Sequence, residues 1–209
     1  MIRLLLIAVG YFFGCIQTSF FYGKRRGVDI REHGSGNAGS TNALRVMGKK
    51  AGVIVFIGDM GKMILAVLLM LLVFKPRGPE FVLLIKLYTG LGVVLGHDFP
   101  FFMDFKGGKG VASTAALILI LDWRMAVMGL IVFFGIALTT RLVSLASCVL
   151  LVSELILYTV LILNGKIACG VLAHWEAILL FAVLVVLSLL RHVPNIVRLI
   201  RGEEKPLKI

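Results

Sequence analysis

Long uncharged apolar runs follow one another along almost the whole of this 209-residue chain, and they fix the solvent in which it folds. Residues 2–22, 51–74, 81–96, 125–140, 144–163 and 171–190 each approach or exceed the length a helix needs to cross a hydrocarbon core. Backbone in lipid must satisfy its own hydrogen bonds, and these runs lack strand-like alternation, so the spans are helices. With 59% hydrophobic residues and a mean hydropathy of +1.01, a soluble domain is excluded. The expected class is an all-α integral membrane protein, a single polytopic domain over residues 1–209 with no internal repeat. Only Arg3 precedes the first run and no small-residue cleavage pattern follows it, so it reads as a retained helix rather than a signal peptide.

Residues 111–121 are also apolar but number only 11, too few to cross an ordinary bilayer unless the protein is thin there or one helix end is buried. Counted as a span, this stretch makes a bundle of seven transmembrane helices, with one short helix after the second glycine-rich loop. A re-entrant pair over residues 111–140 lowers the count to five without changing sidedness. Fifteen of the 22 lysines and arginines fall on the side carrying residues 23–50, residues 97–110, Arg141 and the tail. The other side has six (Arg3, Lys75, Arg77, Lys86, Arg124 and Lys166), and Lys62 lies within a span. Such an excess marks the cytoplasmic side, which puts the N-terminus outside and the C-terminus in the cytoplasm. The net charge of +11 suits a protein facing anionic lipid or anionic substrates. No soluble basic domain is present to hold nucleic acid. Cys15, Cys148 and Cys169 lie in or beside apolar runs and read as small buried hydrophobes. No metal-ligand spacing occurs, so neither metal nor cofactor is expected.

Residues 33–45, HGSGNAGSTNALR, have the composition of a phosphate cradle. Gly34, Gly36 and Gly39 let backbone amides approach a ligand and form a nest for an anion. Ser35, Asn37, Thr41 and Asn42 add polar groups, and Arg45 a planar charged fork suited to phosphate. A flexible polar loop between two spans explains the same composition equally well. The run also spells G-x-G-x-x-G, but no strand precedes it and no βαβ unit is available, so a dinucleotide site is discounted.

The second polar stretch runs from Gly96-His97 through Phe105-Lys106-Gly107-Gly108-Lys109-Gly110. Lys109 stands among glycines immediately before a helix, where unpaired amides and the helix dipole favour an anion. The spacing is not that of a Walker loop. A basic turn obeying the positive-inside rule is the plainer account, but it leaves the three glycines unexplained. Asp59 and Lys62 sit three residues apart within a span and share a helix face, which is explained by mutual pairing or by function. His192 and Asn195, with Arg191, lie where the last span meets the side carrying both glycine-rich loops. The acid–base dyad of peripheral glycerolipid acyltransferases is missing, since five residues after the histidines come Ala38, Phe102, Leu179 and Val197.

Taken together these residues resemble a known family. Gly34-Ser35-Gly36-Asn37, Gly39, Thr41-Asn42 and Arg45 resemble the first motif of the bacterial acyl-phosphate-dependent glycerol-3-phosphate acyltransferases. Gly96-His97, Phe99-Pro100 and the run 105–112 resemble the second, Val143-Ser144-Leu145-Ala146-Ser147 the third, and Arg191-His192, Asn195-Ile196 and Gly202-x-Glu204 the C-terminal pattern. Ser40, Ser113 and Met63 depart from the usual alanine, threonine and glycine and leave the loops intact. The resemblance implies seven membrane helices, cytoplasmic motifs and one reaction. The 1-hydroxyl of sn-glycerol 3-phosphate attacks a fatty acyl phosphate, giving lysophosphatidate and inorganic phosphate. It also favours a substrate phosphate oxygen over a protein base as proton acceptor.

The residue chemistry is compatible with that reaction. Two basic glycine-rich cradles suit two phosphorylated substrates, and an acyl phosphate is already activated, so positioning and charge neutralisation can carry much of the rate. Ser35, Asn37, Thr41, Asn42 and Arg45 are assigned to phosphate. Lys109, with Lys106 nearby, is assigned to the second phosphate or the developing oxyanion. His192 and Asn195 complete the pocket, His97 orients its loop, and Gly107, Gly108 and Gly110 line it. Ser35, Arg45, Lys109, His192 and Asn195 are the expected catalytic set. The rival reading is an organic-phosphate transporter, which would also want basic residues and glycine breaks. Expected partners are the two substrates and membrane lipid, with no nucleic acid, and a monomer is compatible with all of this.

Overall fold

The fold is that of a computed structural model, which describes residues 1–167 and 173–207. Cys169 falls outside the described residues. Among those described, nine α-helices follow in order: α1 (Ile2–Gly14), α2 (Thr18–Lys24), α3 (Ser40–Met47), α4 (Lys49–Phe74), α5 (Pro79–Asp98), α6 (Val111–Leu121), α7 (Trp123–Thr140), α8 (Val143–Leu163) and α9 (Ala173–Ile200). Six segments are long and apolar enough to cross a membrane: Ile2–Lys24, Lys49–Phe74, Pro79–Met103, Trp123–Thr140, Val143–Leu163 and Ala173–Ile200. The short helix expected at residues 111–121 is α6, with 11 residues. By length and composition six segments among the described residues qualify as spans, and α6 is shorter than these.

The first span is not the continuous helix its apolar run suggests, because α1 stops at Gly14 and α2 restarts at Thr18. A break inside a membrane frees backbone carbonyls that lipid cannot satisfy. Here Lys62 Nζ, from α4, donates to the carbonyls of Gly14 and Ile16, each at 3.0 Å. Gln17 Nε2 donates to the carbonyl of His97 at 2.8 Å and so ties the break to the end of α5.

A glycine seam brings α1 against α5. Cβ atoms at Gly10 and Gly14 would collide with the backbone of α5 near Thr89, Val93 and Gly96, and Cβ atoms at Gly92 and Gly96 would collide with that of α1 near Ile7, Tyr11 and Cys15. Each helix carries its glycines four residues apart, the small-residue spacing that lets membrane helices pack backbone to backbone. The seam was legible in the sequence as two G-x-x-x-G repeats, but the strength of the hydrophobic signal around it hid it.

Helix α6 is tied to its neighbours at both ends. Eleven residues rise about 16 Å, roughly half of a hydrocarbon core. At its C-terminal end Lys86 Nζ donates to the carbonyl of Ile120 at 2.6 Å, and Arg124 donates to that of Lys166 at 2.9 Å. At its N-terminal end Gly110 lies against Ser188 and Asp98. The loop ahead of α6 folds down to meet it, with the amides of Gly107 and Gly108 donating to the carbonyls of Asp98 and His97 at 3.1 and 2.9 Å. The burial that the sequence required of so short a helix is met by Ala116, Leu117 and Ile118, all in the core.

Candidate active site

The first glycine-rich loop is held by one side chain. Asn42, buried in the first turn of α3, accepts from the amide of Ser35 at 2.9 Å. It donates to the carbonyls of Ile30 and His33 at 3.2 and 3.0 Å. Both amide hydrogens are thereby used within the loop, so Asn42 shapes the cradle rather than presenting a free donor to phosphate. Gly34 and Gly36 take positive φ, +65° and +71°, and a Cβ on Gly34 would strike the Asn42 carbonyl oxygen. Asp29 caps the short turn before the loop, accepting from the amide of Arg31 and pairing with its guanidinium at 2.7 Å. That hydrogen-bonded pair holds the Asp29 carboxyl below its usual range. Ser35 and Arg45 are exposed and Thr41 is half-buried, and their side chains have no partner among the described residues. Gly39 caps α3, with the Asn37 amide against it. His33 bonds the carbonyl of Asp29 at 2.9 Å and stays at the rim.

The two loops meet. Ile30 and Ala38 from the first pack on Met103 from the second, with Phe20, Val46 and Met47 around them. Ser19 in α2 donates to the carbonyl of Ala38 at 2.7 Å. Both cradles thus lie at one end of the bundle, the end opposite Arg3 and Glu176, which pair at 2.7 Å.

Around the second loop the structure gathers a denser polar group. Lys109 donates to the carbonyl oxygen of Asn195. The Asn195 amide donates to Glu204 Oε1 at 2.6 Å, and Ser144 donates to the same oxygen at 2.7 Å. Arg198 Nε donates to Glu204 Oε2 at 2.7 Å. A carboxylate only accepts, so Glu204 fixes which way the Asn195 amide points and turns its oxygen toward the ammonium. The tail reaches this position by folding back after α9, and the amide of Leu207 donates to the carbonyl of Arg141 at 2.8 Å. Burial pushes the Glu204 carboxyl up, but the bonds from Ser144, Asn195 and Arg198 outweigh it and hold it below its usual range. Lys109 is brought down to about 8, chiefly by burial, with Glu204 opposing.

Arg191 clamps the loop from α9. Its guanidinium donates to the carbonyls of Gly108 and Gly107 at 3.1 and 3.3 Å and lies over the Phe99 ring. The next residue of α9 is His192, whose Nδ1 bonds the carbonyl of Ser188, one turn earlier, at 2.8 Å. A carbonyl only accepts, so in the neutral ring Nδ1 carries the hydrogen and Nε2 is left as an acceptor. Lys106 is exposed at the loop edge. Among the expected residues, His97, Gly107, Gly108, Lys109, Gly110, His192 and Asn195 form one connected group. Ser35, Thr41 and Arg45 lie on the neighbouring loop with side chains open. Arg191, Ser144, Glu204 and Gln17 join the group without having been singled out as site residues. Three of these stand inside quoted motifs, which was the available signal, whereas Gln17 lies in an apolar run with nothing to mark it. No cluster of metal-ligating side chains occurs among the described residues.

Comparison with known proteins places the whole chain in a family. A family model described as glycerol-3-phosphate acyltransferase matches residues 4–202. The glycerol-3-phosphate acyltransferase of Thermosipho melanesiensis is 42% identical over 95% of this chain and 90% of its own. Glycerol-3-phosphate acyltransferase 2 of Thermotoga maritima is 38% identical over 96% of this chain and 94% of its own. Among solved structures, the glycerol 3-phosphate form of PlsY (YgiH), an integral membrane glycerol 3-phosphate acyltransferase, superposes with a TM-score of 0.83 at 34% identity, covering 100% of this chain and 96% of that one. Its lysophosphatidic acid form gives 0.80 at 33% identity. Matched by that family model over nearly its whole length and similar to these relatives in sequence and in bundle, the chain belongs to the glycerol-3-phosphate acyltransferase family.

Proposed function

We propose that this chain is a glycerol-3-phosphate acyltransferase that takes its acyl group from a fatty acyl phosphate. The 1-hydroxyl oxygen of sn-glycerol 3-phosphate forms a bond to the acyl carbonyl carbon. The tetrahedral oxyanion then collapses, the carbon–phosphate oxygen bond breaks, and inorganic phosphate leaves as lysophosphatidate forms. The hydroxyl proton passes to a phosphate oxygen of the donor. The observation that carries the reading is the Lys109–Asn195–Glu204 chain, which aims a half-buried ammonium at a glycine loop next to a second, cradle-like loop. Preorganised charge of this kind is what an oxyanion and a departing phosphate require.

Ser35, Thr41 and Arg45 take one phosphate, with Asn37 and Asn42 shaping the turn around it. Lys109, with Lys106 at the rim, takes the other phosphate and the developing charge. His192 offers its Nε2 as an acceptor to a glycerol hydroxyl, and the acyl chain lies among the helices. In this reading α6 is the seventh span, the N-terminus lies outside, and the site faces the cytoplasm of a bacterial inner membrane, with the chain acting as a monomer. The excess of basic residues on the side of both loops supports that orientation.

Purified protein in micelles should release phosphate and form lysophosphatidate from acyl phosphate and glycerol 3-phosphate. It should not turn over with acyl-coenzyme A or acyl carrier protein as donor. Equal turnover with a thioester donor would remove acyl phosphate from the reading. No product from any donor would favour transport instead.

A further inference from the structure

The pair Asp59 and Lys62, buried in α4, remains outside the chemistry above. Its geometry links it to the second loop. The Lys62 ammonium has four acceptors to share its three hydrogens: the carbonyls of Gly14 and Ile16 at 3.0 Å each, His97 Nδ1 at 2.7 Å and Asp59 Oδ1 at 3.1 Å. The Asp59 carboxylate also neutralises the charge; it lies 3.8 Å from His97 Nδ1 and accepts from Thr18 Oγ1 at 3.4 Å. An ammonium donates and does not accept, so the imidazole of His97 must accept through Nδ1, and the ring hydrogen is then on Nε2. That nitrogen has no partner among the described residues, and it faces Gly108 so closely that a Cβ there would collide with it. The loop cannot drift from the ring, because the amide of Gly108 is bonded to the carbonyl of His97 at 2.9 Å. A carboxylate, an ammonium and an imidazole therefore form one buried cluster whose outer N–H donor ends at the Gly107–Gly110 loop.

We infer that His97 Nε2–H donates to the phosphate-bearing substrate held on the Gly107–Gly110 loop, and that Lys62 is a positioning residue that sets the tautomer for it. With Lys62 absent, the neutral ring is free to place its hydrogen on Nδ1 and to present an acceptor lone pair to an anion. The effect on binding then changes sign, although no group touching the substrate has been altered. The role of His97 is the reverse of that of His192, whose outward nitrogen is an acceptor. The inference rests on the acyltransferase reading.

The test is a double-mutant cycle in kcat/KM for glycerol 3-phosphate and acyl phosphate, using Lys62→Met, His97→Ala and the double variant in micelles. Losing a hydrogen bond to a charged group costs about tenfold or more, so Lys62→Met alone should lower kcat/KM by at least that factor. In the His97→Ala background the same change should cost less than about threefold, because coupled residues are not additive. Additivity would overturn the assignment. Because directly bonded residues couple whatever their role, the readout that a structural brace would not move is a second comparison, of His97→Gln, which keeps an N–H near the Nε2 position, with His97→Asn, which does not; it also stands if Lys62→Met fails to fold. Glutamine should retain at least about tenfold more kcat/KM, by the same estimate; equal activity of the two would overturn the assignment. An inactive wild type would bring down the acyltransferase reading and this assignment with it, whereas an active wild type with additive losses would bring down this assignment alone.

Discussion

At Lys109 burial and the Glu204 charge pull against each other. Burial brings it down to about 8, and only its protonated form attracts phosphate. The sign follows directly: anion binding is intact below that value and is lost as pH rises through it. The kcat/KM for a phosphorylated substrate should therefore fall on an alkaline limb near pH 8. Lys109→Arg, whose guanidinium keeps its proton throughout, should move that limb upward by more than about one pH unit, at reduced turnover because a planar fork replaces a point charge. A limb that stays in place would assign it to another group. Glu204 acts one bond further out. Glu204→Gln replaces a double acceptor with an amide that can also donate, so the Asn195 oxygen is no longer forced toward Lys109. Assayed in micelles, this variant should lose about tenfold or more of its activity, with its KM for phosphate substrates rising.

The elements carry the second set of consequences. The α1–α5 seam leaves no room for a methyl group, so Gly92→Ala or Gly96→Ala should strain backbone against backbone. Overpacking costs about 1–3 kcal/mol, which for a chain of this size is a fall in melting temperature of about 3 °C or more, measurable by thermal unfolding in detergent. Glu154 in α8 is the opposite case. It is fully buried, and neither carboxylate oxygen has a partner among the described residues. Gly129 in α7 faces it. A buried polar group without a partner destabilises, so Glu154→Leu should raise the melting temperature in the same measurement; a fall would show that the carboxyl has a partner in the folded protein. The helices themselves were legible because each spans a long apolar run, and the 11-residue α6 was legible because nothing else fits between Gly110 and Asp122. The break at Cys15–Gln17 was not. It sits inside an apolar run, and the groups that make it tolerable are distant in sequence: Lys62 lies 46 residues beyond Ile16, and His97 lies 80 residues beyond Gln17.

At the scale of the molecule, an apolar bundle brings two polar loops to one end, where they pack on each other. Both cradles and the pair His192–Asn195 could be read as one-sided, because basic residues sort by membrane face. What could not be read was their connection. Met103 joining the loops, Glu204 turning Asn195 and Asn42 closing the first loop are contacts set by the tertiary fold, and no spacing encodes them. Orientation is testable in cells. With Cys15, Cys148 and Cys169 replaced by serine, cysteine introduced at Asn164 should react with an impermeant maleimide from outside, and cysteine introduced at Gly27 only after the membrane is opened. The reverse pattern would invert the topology. The most direct measurement on the whole account is turnover of acyl phosphate with glycerol 3-phosphate by Arg45→Ala and by Lys109→Ala, each shown by its melting curve to be folded. If the two loops hold the two phosphates, each variant should lose about a hundredfold or more, with phosphate and lysophosphatidate still formed one to one in what remains. Near-normal turnover by either folded variant would contradict it.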